Sequence, residues 1–475
     1  MTSKGPENNA AKDEQIRLLE YQLDYLRAEL LHLSHERDKM VYSASWHIFR
    51  PLRRLEARLV DAASALWRGR GTPAAKMPAR SPEQTVAPMQ TTSIAPKRLL
   101  VDVTGVIKRD AGTGIQRVVK KVVEALYGDE TYDILAIAVR SVDGRLFTAH
   151  AYAATLTGKA PRAPDMEIEI EPGDRFFMLS DSWNAFDELA PLFARIRQAG
   201  GEIISCIFDL IPELYPHACH EVTVPLYDAW LRKALMESDG FLAISLTVAE
   251  ELASFVETQA LPHRRGLKIG WFHCGCDIAA GGGPQPRPKL LEAVAGSAPV
   301  FLCVSTIEPR KGQRVALQAF ERLWRDGADA KLLFVGRRGW LDEAITSEMD
   351  NHPEQGRRLF WFNDVGDGEL GFLYDHARAL VVPSFAEGFG LPIVEGAWRG
   401  RAVLCSDIPV FREVGGEGAI YFRVNDPLAL ADCVQDFLSG RTSADPSKVL
   451  RGSWADAARR ITQVIARDEW SQRLP

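Results

Sequence analysis

The sequence predicts an α/β protein whose body consists of two Rossmann-like, doubly wound domains that face a cleft. Two consecutive series of short apolar runs predict this fold, because amphipathic helical patterns separate the runs. Runs that are apolar throughout are typical of parallel strands covered on both faces. The glycine-rich stretch 279–288 divides the two series, which gives an N-terminal domain over 98–285 and a C-terminal domain over 286–450. A length of 475 residues and a hydrophobic fraction of 46% suit such a protein.

The predicted strands are short, and each series contains five of them. The first series consists of Leu99–Val103, Ile134–Val139, Phe176–Leu179, Ile203–Phe208 and Phe241–Ile244. The second series consists of Val300–Val304, Lys331–Val335, Leu359–Phe362, Ala379–Val382 and Val403–Cys405. Because parallel strands end at the same edge of a sheet, the cleft is expected at their carboxyl ends. A terminal helix within 451–475 is expected to pack back toward the N-terminal domain.

Ahead of these domains, residues 1–40 carry a heptad pattern that predicts a coiled coil. Its apolar positions are Ile16, Leu19, Leu23, Leu26, Leu30, Leu33 and Met40. A coiled coil would make the chain a homo-oligomer, whereas a single amphipathic helix packed on the body is the alternative.

Residues 41–70 predict a basic amphipathic helix with six arginines and a tryptophan toward each end. Such a helix suits the anionic inner surface of a plasma membrane, and docking on protein with solvated arginines is the alternative. Five prolines punctuate residues 71–97, which are expected to form a flexible linker.

Charge and cysteine content exclude several classes of protein. The chain has 57 Lys and Arg against 63 Asp and Glu, so no basic excess points to nucleic acid as a partner. No apolar run approaches the roughly 18 residues of a membrane-spanning helix, so the protein is expected in the cytoplasm or peripherally on the inner face of the plasma membrane. The seven scattered cysteines are expected to be reduced thiols.

The strongest motif is the segment 385–396, which follows a predicted strand and opens a helix. Its two carboxylates, Glu387 and Glu395, are expected to face the cleft, where they can accept hydrogen bonds from vicinal hydroxyls. The glycines between them let backbone amides approach phosphate oxygens at a helix N-terminus. The alternative is that neither carboxylate binds a ligand: one glutamate would interact favourably with the helix dipole, and the other would lie on the surface.

A second motif, Ser305–Gln313, directly follows another predicted strand and contains the adjacent cations Arg310 and Lys311. Such cations stabilise the charge that grows on a diphosphate leaving group, and a solvated basic surface is the alternative. In the first domain, the loop with Gly112 and Gly114 serves either phosphate binding or a tight turn. Asp209 directly follows a predicted strand, either as a polar group of the site or as the cap of the next turn.

On these motifs the sequence resembles glycosyltransferase family 4, the retaining sugar-nucleotide enzymes of GT-B architecture. The resemblance spans about Leu99 to Trp470 and rests on a Glu-x7-Glu motif with Gly-Phe-Gly-Leu-Pro inside it. It implies that Glu395 holds the ribose of the nucleotide and that Glu387 contacts the donor sugar.

The resemblance also implies roles for the other candidate residues. Arg310 and Lys311 would bind the diphosphate. Asp209 is a further catalytic candidate because of its place at a strand exit, and the resemblance assigns it no role. The remaining donor-binding residues would be Gly112, Gly114, Gly336, Arg337, Val365, Gly388, Phe389, Gly390 and Leu391. Phe208 stands where many relatives have a histidine close to the donor sugar.

As function, the resemblance implies a mannosyl- or rhamnosyltransferase of O-antigen, capsule or exopolysaccharide biosynthesis. GDP-mannose is the favoured donor, and the acceptor would be a growing, lipid-linked bacterial glycan. No cofactor and no metal are implied, and the chain has no Asp-x-Asp motif for a metal–diphosphate clamp. A sugar-nucleotide epimerase and a non-catalytic scaffold in a polysaccharide assembly complex are the alternatives.

Overall fold

A computed structural model describes residues 98–475 except for 111, 129–131, 133, 181–182, 184, 278–285 and 341–342. The described residues belong to a single compact unit. The coiled coil, basic helix and linker predicted for residues 1–97 lie outside the described residues.

The first domain contains an eight-stranded sheet. Its strands are β1 (Arg98–Asp102), β2 (Leu135–Val142), β3 (Arg145–Thr148), β4 (Arg175–Met178), β5 (Glu202–Ile207), β6 (Gly240–Ala243), β7 (Lys268–Trp271) and β14 (Gln472–Arg473). They lie in the order β14-β7-β6-β5-β4-β1-β2-β3. The edge strands β3 and β14 run antiparallel to their neighbours, and the other pairs are parallel.

The second domain contains a six-stranded sheet that is parallel throughout. Its strands are β8 (Val300–Val304), β9 (Lys331–Val335), β10 (Leu359–Phe362), β11 (Ala379–Val382), β12 (Ala402–Ser406) and β13 (Ile420–Phe422). Their order is β10-β9-β8-β11-β12-β13, so the winding direction reverses between β8 and β11. The loops after those two strands diverge and leave a crevice, which is where ligands bind in such sheets.

Helices cover both sheets. The first domain contains α1 (Thr104–Lys108), α2 (Gly114–Gly128), α3 (His150–Thr157), α4 (Phe186–Gln198), α5 (Ile211–Leu214), α6 (Thr223–Glu237) and α7 (Leu246–Thr258). Then follow α8 (Pro288–Val294), α9 (Gln313–Arg325), α10 (Glu343–Asp350), α11 (Asp367–His376), α12 (Leu391–Trp398), α13 (Pro409–Gly415), α14 (Pro427–Leu438) and α15 (Trp454–Arg467). None of the described helices combines the length and the apolar character that a membrane span requires.

The core forms where the apolar stripes of these helices meet the strands. α9 shows the pattern, since Ala316, Phe320 and Leu323 recur at three- and four-residue steps and are all buried. The Phe320 ring lies edge-on to Phe301 of β8, with ring centroids 5.3 Å apart. Fully burying a side chain of this size contributes roughly 1.5–3 kcal/mol. This packing anchors β8 against α9.

After the second domain, the chain returns to the first. α15 packs on α2, and β14 pairs with β7. Between them, Trp470 lies so close to β6 that a Cβ at Gly240 would come within 2.8 Å of its ring. The Trp454 amide at the start of α15 donates to Asp277 Oδ1 over 2.7 Å. The terminal helix therefore completes the first domain.

Candidate active site

Charged side chains gather where β8 and β11 end. Arg310 and Lys311 lie in a 3₁₀ turn within the loop that follows β8, and Glu387 lies in the loop after β11. Lys311 Nζ is 2.5 Å from Glu387 Oε1, and Arg310 Nη1 is 3.2 Å from Glu387 Oε2. Arg310 Nη2 is also 2.8 Å from Glu308 Oε1. The structure therefore brings three of the predicted site residues into direct contact.

Burial and opposite charge compete in this cluster. Burial favours the neutral form of Glu387, yet Lys311 and Arg310 hold the pKa of Glu387 below its ordinary value. Burial also opposes the charge on Arg310, but Glu308, Glu387 and Asp209 raise the pKa of Arg310. For Glu308, burial prevails over Arg310 and raises the pKa. Arg310 and Glu387 therefore stay ionised at neutral pH.

The first domain contributes Asp209, which follows β5. The Ile211 amide donates to Asp209 Oδ1 over 3.0 Å, so the carboxylate does cap the turn that starts α5. Burial raises the pKa of Asp209, and the attraction of Arg310 opposes this rise. Asp209 thus has both features considered from the sequence: it caps a turn, and it lies within electrostatic reach of the charged cluster.

Gly388 brings the two domains into contact. A Cβ at this position would come within 1.9 Å of the Phe208 carbonyl oxygen and 3.2 Å of Asp209 Cβ. Ser245 Oγ of the first domain donates to the Gly388 carbonyl over 2.8 Å. Glycine is required here because the backbone of one domain passes where a side chain would be.

The rest of this loop starts α12. Gly390 has a φ of 97° at the N-terminus of the helix, and Leu391 is the first helical residue. Phe389 is buried, and its ring centroid lies 5.9 Å from that of His273 in the first domain. The loop that the sequence assigned to donor binding is therefore also an interdomain contact.

Glu395 lies on α12 and is only 2% exposed. Its Oε1 is 2.9 Å from Arg117 Nη1 of α2, and the Tyr374 hydroxyl donates to its Oε2 over 2.8 Å. Burial raises the pKa of Glu395, although Arg117 and Tyr374 oppose the rise. Both carboxylate oxygens are thus occupied by protein groups, and one of these groups comes from the first domain. No role for Arg117 was predicted from the sequence, where its only signal is its position three residues after Gly114.

Arg117→Ala is expected to lower the free energy of unfolding by about 3 kcal/mol at neutral pH, because it leaves Glu395 buried without its cation. Without Arg117, the pKa of Glu395 should rise further above the value of the unfolded chain. The destabilisation is then largest well above that pKa and shrinks as the pH falls and the carboxyl takes up a proton. Urea unfolding at several pH values measures the difference from the wild type.

The matched control for Arg117 is Arg459→Ala, which removes an exposed arginine from an ion pair with Asp456. Exposed pairs contribute about 0–1 kcal/mol, so this variant should unfold nearly as the wild type does. Equal effects of the two substitutions would contradict a structural role for the Arg117–Glu395 pair.

The glycine loop of the first domain meets the other predicted donor residues. A Cβ at Gly112 would come within 3.2 Å of Arg337 Nη1, whereas Gly114 begins α2 and has open space around it. Gly336 immediately follows β9, next to Arg337. Val365 lies before α11 and packs against the core rather than in the charged cluster.

A second interdomain cluster centres on Glu413 of α13. Glu413 accepts from the amides of Leu246 and Thr247 at the start of α7, both over 2.8 Å, and lies 2.7 Å from His273 Nε2. Burial would raise the pKa of Glu413, yet His273 and Thr247 hold it below the ordinary value. A carboxylate at a helix N-terminus is a common pairing. Sequence spacing could not reveal this one, because the carboxylate and the helix belong to different domains.

Comparison with known proteins identifies relatives of this chain. Residues 292–466 match the family model described as glycosyl transferases group 1. The serotype-specific mannosyltransferase WbdA of Escherichia coli is 31% identical over 351 residues, which are 72% of this chain and 41% of WbdA. O-antigen chain mannosyltransferase B of Escherichia coli is 37% identical over 207 residues, which are 42% of this chain and 53% of that protein. This chain therefore spans about half or less of the length of these relatives.

One solved structure supports the architecture. HepE of Anabaena, in complex with UDP-glucose, superposes with a TM-score of 0.51 at 14% identity, over 78% of this chain and 97% of HepE. The likeness is in the fold, which consists of two Rossmann-like domains that face each other, as predicted. The matched family segment covers the domain that carries the charged cluster. The chain therefore carries a glycosyl transferases group 1 domain over residues 292–466 and has a GT-B fold.

Proposed function

We propose that this chain is a retaining mannosyltransferase that moves mannose from GDP-mannose onto a growing, lipid-linked bacterial surface polysaccharide. The observation that carries the proposal is the contact of Arg310 and Lys311 with Glu387 at the switch point of the second sheet. The names of the two Escherichia coli relatives, both mannosyltransferases, support the choice of sugar.

The charged cluster suits a diphosphate leaving group. When the bond between the sugar C1 and the phosphate oxygen breaks, negative charge accumulates on the diphosphate, and fixed cations stabilise it. The side chains of Arg310 and Lys311 are 17% and 14% exposed, so water screens their charge poorly. Bound diphosphate would replace Glu387 as their partner and leave its carboxylate to the sugar hydroxyls.

The other residues then bind and orient the donor. Glu395 would accept hydrogen bonds from the ribose hydroxyls, and Asp209 would face the sugar from the first domain. In a retaining transfer the acceptor attacks on the face from which the diphosphate leaves. The proton of the acceptor hydroxyl passes to a leaving-group oxygen, so no dedicated protein base is needed.

The proposal is tested by incubating the full chain with free mannose oligosaccharides and with GDP-mannose, UDP-glucose or dTDP-rhamnose in turn. Transfer from GDP-mannose alone is expected, with an α-linked product by NMR and with activity retained in EDTA. Preference for another donor would show that the transferred sugar is not mannose. A β-linked product would contradict transfer with retention of configuration. Nucleotide binding without transfer would favour the scaffold, and net conversion of the donor without acceptor would favour the epimerase.

Binding of GDP-mannose is expected to tighten as the pH falls below neutrality. The cations Arg310 and Lys311 share the site with Asp209, Glu308 and Glu387, and burial raises the pKa of both Asp209 and Glu308. A proton on either carboxyl removes a negative charge that repels the diphosphate. The diphosphate of a sugar nucleotide is a diester whose charge is constant in this range. Calorimetric titrations at several pH values therefore report on the protein groups.

Asp209→Asn identifies the titrating group, because the amide resembles the protonated carboxyl. This variant should bind GDP-mannose at neutral pH as tightly as the wild type binds it in acid, and its affinity should depend less on pH. The exposed Asp432 provides the control, and Asp432→Asn should keep the wild-type slope. If the affinity of Asp209→Asn for GDP-mannose depends on pH as strongly as that of the wild type, Glu308 is the titrating group instead.

The segment ahead of the domains is proposed to place the enzyme at its acceptor. The heptads of residues 1–40 would form a homo-oligomer, and the arginines of residues 41–70 would bind the anionic inner membrane surface. Light scattering gives the mass of the full chain, and co-flotation with anionic and neutral vesicles measures binding. A monomer in solution would contradict the homo-oligomer. Equal binding to both kinds of vesicle would contradict recognition of the anionic membrane surface.

A further inference from the structure

An aromatic surface borders the charged cluster. Tyr215 and His217 of the first domain both contact Phe385 of the second, with ring centroids 5.9 Å and 6.3 Å apart. The rings of His217 and Phe385 are within 8° of parallel. We call these three residues the aromatic platform.

The platform is accessible to solvent, unlike most of the aromatic residues that the structure describes. Tyr215 is 36% exposed, His217 is exposed and Phe385 is half-buried. The large aromatic side chains elsewhere in the two sheets are mainly in the core, as Phe301 and Phe334 are. The platform differs from this pattern, because its rings contact one another across two domains and remain accessible. Exposed apolar patches of this kind indicate a binding site.

The platform lies directly beside the residues that would hold the donor. The Phe385 amide donates to the Arg310 carbonyl over 3.0 Å, and Glu387 follows two residues later. On the other side, Tyr215 follows α5, whose first amide is bound by Asp209. A sugar on the platform would therefore lie next to the transferred sugar, and two of its three rings belong to the wall opposite the diphosphate cations.

The chemistry of the platform matches a pyranose ring. One face of a hexose presents C–H groups, which pack on aromatic faces, while its hydroxyls point outward toward polar groups. The Tyr215 hydroxyl and the His217 ring nitrogens supply such groups at the rim of the rings. A nucleotide base would also stack on aromatic rings, but the base lies at the far end of the donor from the sugar.

We propose that Tyr215, His217 and Phe385 form a subsite that binds a pyranose ring of the acceptor glycan beside the donor sugar. The proposal rests on the proposed function, because it needs a transferase that extends a glycan. In this proposal the aromatic platform binds the glycan part of the acceptor and not its lipid tail.

The test compares wild-type protein with Tyr215→Ala, His217→Ala and the double variant in transfer from GDP-mannose to free mannose oligosaccharides. The KM for the oligosaccharide is expected to rise about tenfold in each single variant, which corresponds to about 1.4 kcal/mol. The KM for the donor is expected to stay at the wild-type value. Tyr215→Phe keeps the ring and should restore most of the acceptor affinity.

Leu226→Ala is the matched control, because Leu226 is 50% exposed on the nearby helix α6 and belongs to no aromatic contact named here. It should leave the KM for the oligosaccharide unchanged. An unchanged acceptor KM in the double variant would overturn the subsite, and so would an equal rise in the KM values for donor and acceptor. An effect seen with a lipid-linked acceptor but not with the free oligosaccharide would assign the surface to the lipid instead. If the wild type transfers no sugar at all, the proposed function fails, and that result is distinct from failure of the subsite.

Discussion

Lys311→Ala is expected to lower turnover by about 10²-fold or more without unfolding the chain. The Lys311 ammonium lies 2.5 Å from Glu387 and beside Arg310, at the place where the diphosphate would leave. The charge that it stabilises develops as the glycosidic bond breaks, so kcat should fall more than donor affinity does. Steady-state kinetics with GDP-mannose separate the two quantities, and calorimetry gives the affinity directly.

Two further variants make the result of Lys311→Ala interpretable. Lys311→Arg keeps the charge but changes its geometry, and it should recover part of the lost turnover. Lys448→Ala removes an exposed lysine of the same domain, paired only loosely with Glu417 at 3.6 Å, and should leave kcat as it is. Near-normal turnover in Lys311→Ala would reject the role of this lysine in leaving-group stabilisation.

Gly388→Ala is expected to reduce turnover by about 10²-fold and to lower the Tm. The added methyl group would lie 1.9 Å from the Phe208 carbonyl oxygen, so the two domains would have to separate or the loop would have to move. Glu387 is the preceding residue, and a displacement of about 1 Å in a catalytic group can cost 10²-fold in rate. Thermal melts and initial rates measure the two effects on the same preparation.

The control for Gly388 is Gly366→Ala, since nothing lies within 4 Å of a Cβ built at Gly366. That variant should keep both the wild-type Tm and the wild-type rate. If Gly388→Ala behaves in the same way, close approach of the domains at this loop is not needed for activity.

The central strands could be predicted from sequence because they are buried on both faces and therefore apolar throughout. All ten predicted strands are present among the described residues. The strands that were missed are β3, β7, β13 and β14, which are short and lie at or next to sheet edges. β7 illustrates the reason, since its sequence Lys-Ile-Gly-Trp mixes a charge and a glycine with apolar residues and so carries no continuous apolar run.

The contacts in the candidate site were also only partly predictable from the sequence. The proximity of Arg310, Lys311 and Glu387 could be predicted because they follow recognisable strands, and adjacent parallel strands end at the same edge of a sheet. The partners Arg117 and Glu395 could not be paired from the sequence. Their contact depends on how one domain faces the other, and no local pattern encodes that geometry.

The return of the chain to the first domain has a consequence for synthesis. Residues 454–473 supply α15 and β14, yet they pack on α2 and β7, which are made long before them. The second domain is continuous and can fold as soon as it leaves the ribosome. The first domain must wait, with the edge of β7 unpaired and the surface under Trp470 uncovered, until the second has been translated. Completion of the first domain, rather than of the second, is therefore the last step in building the cleft.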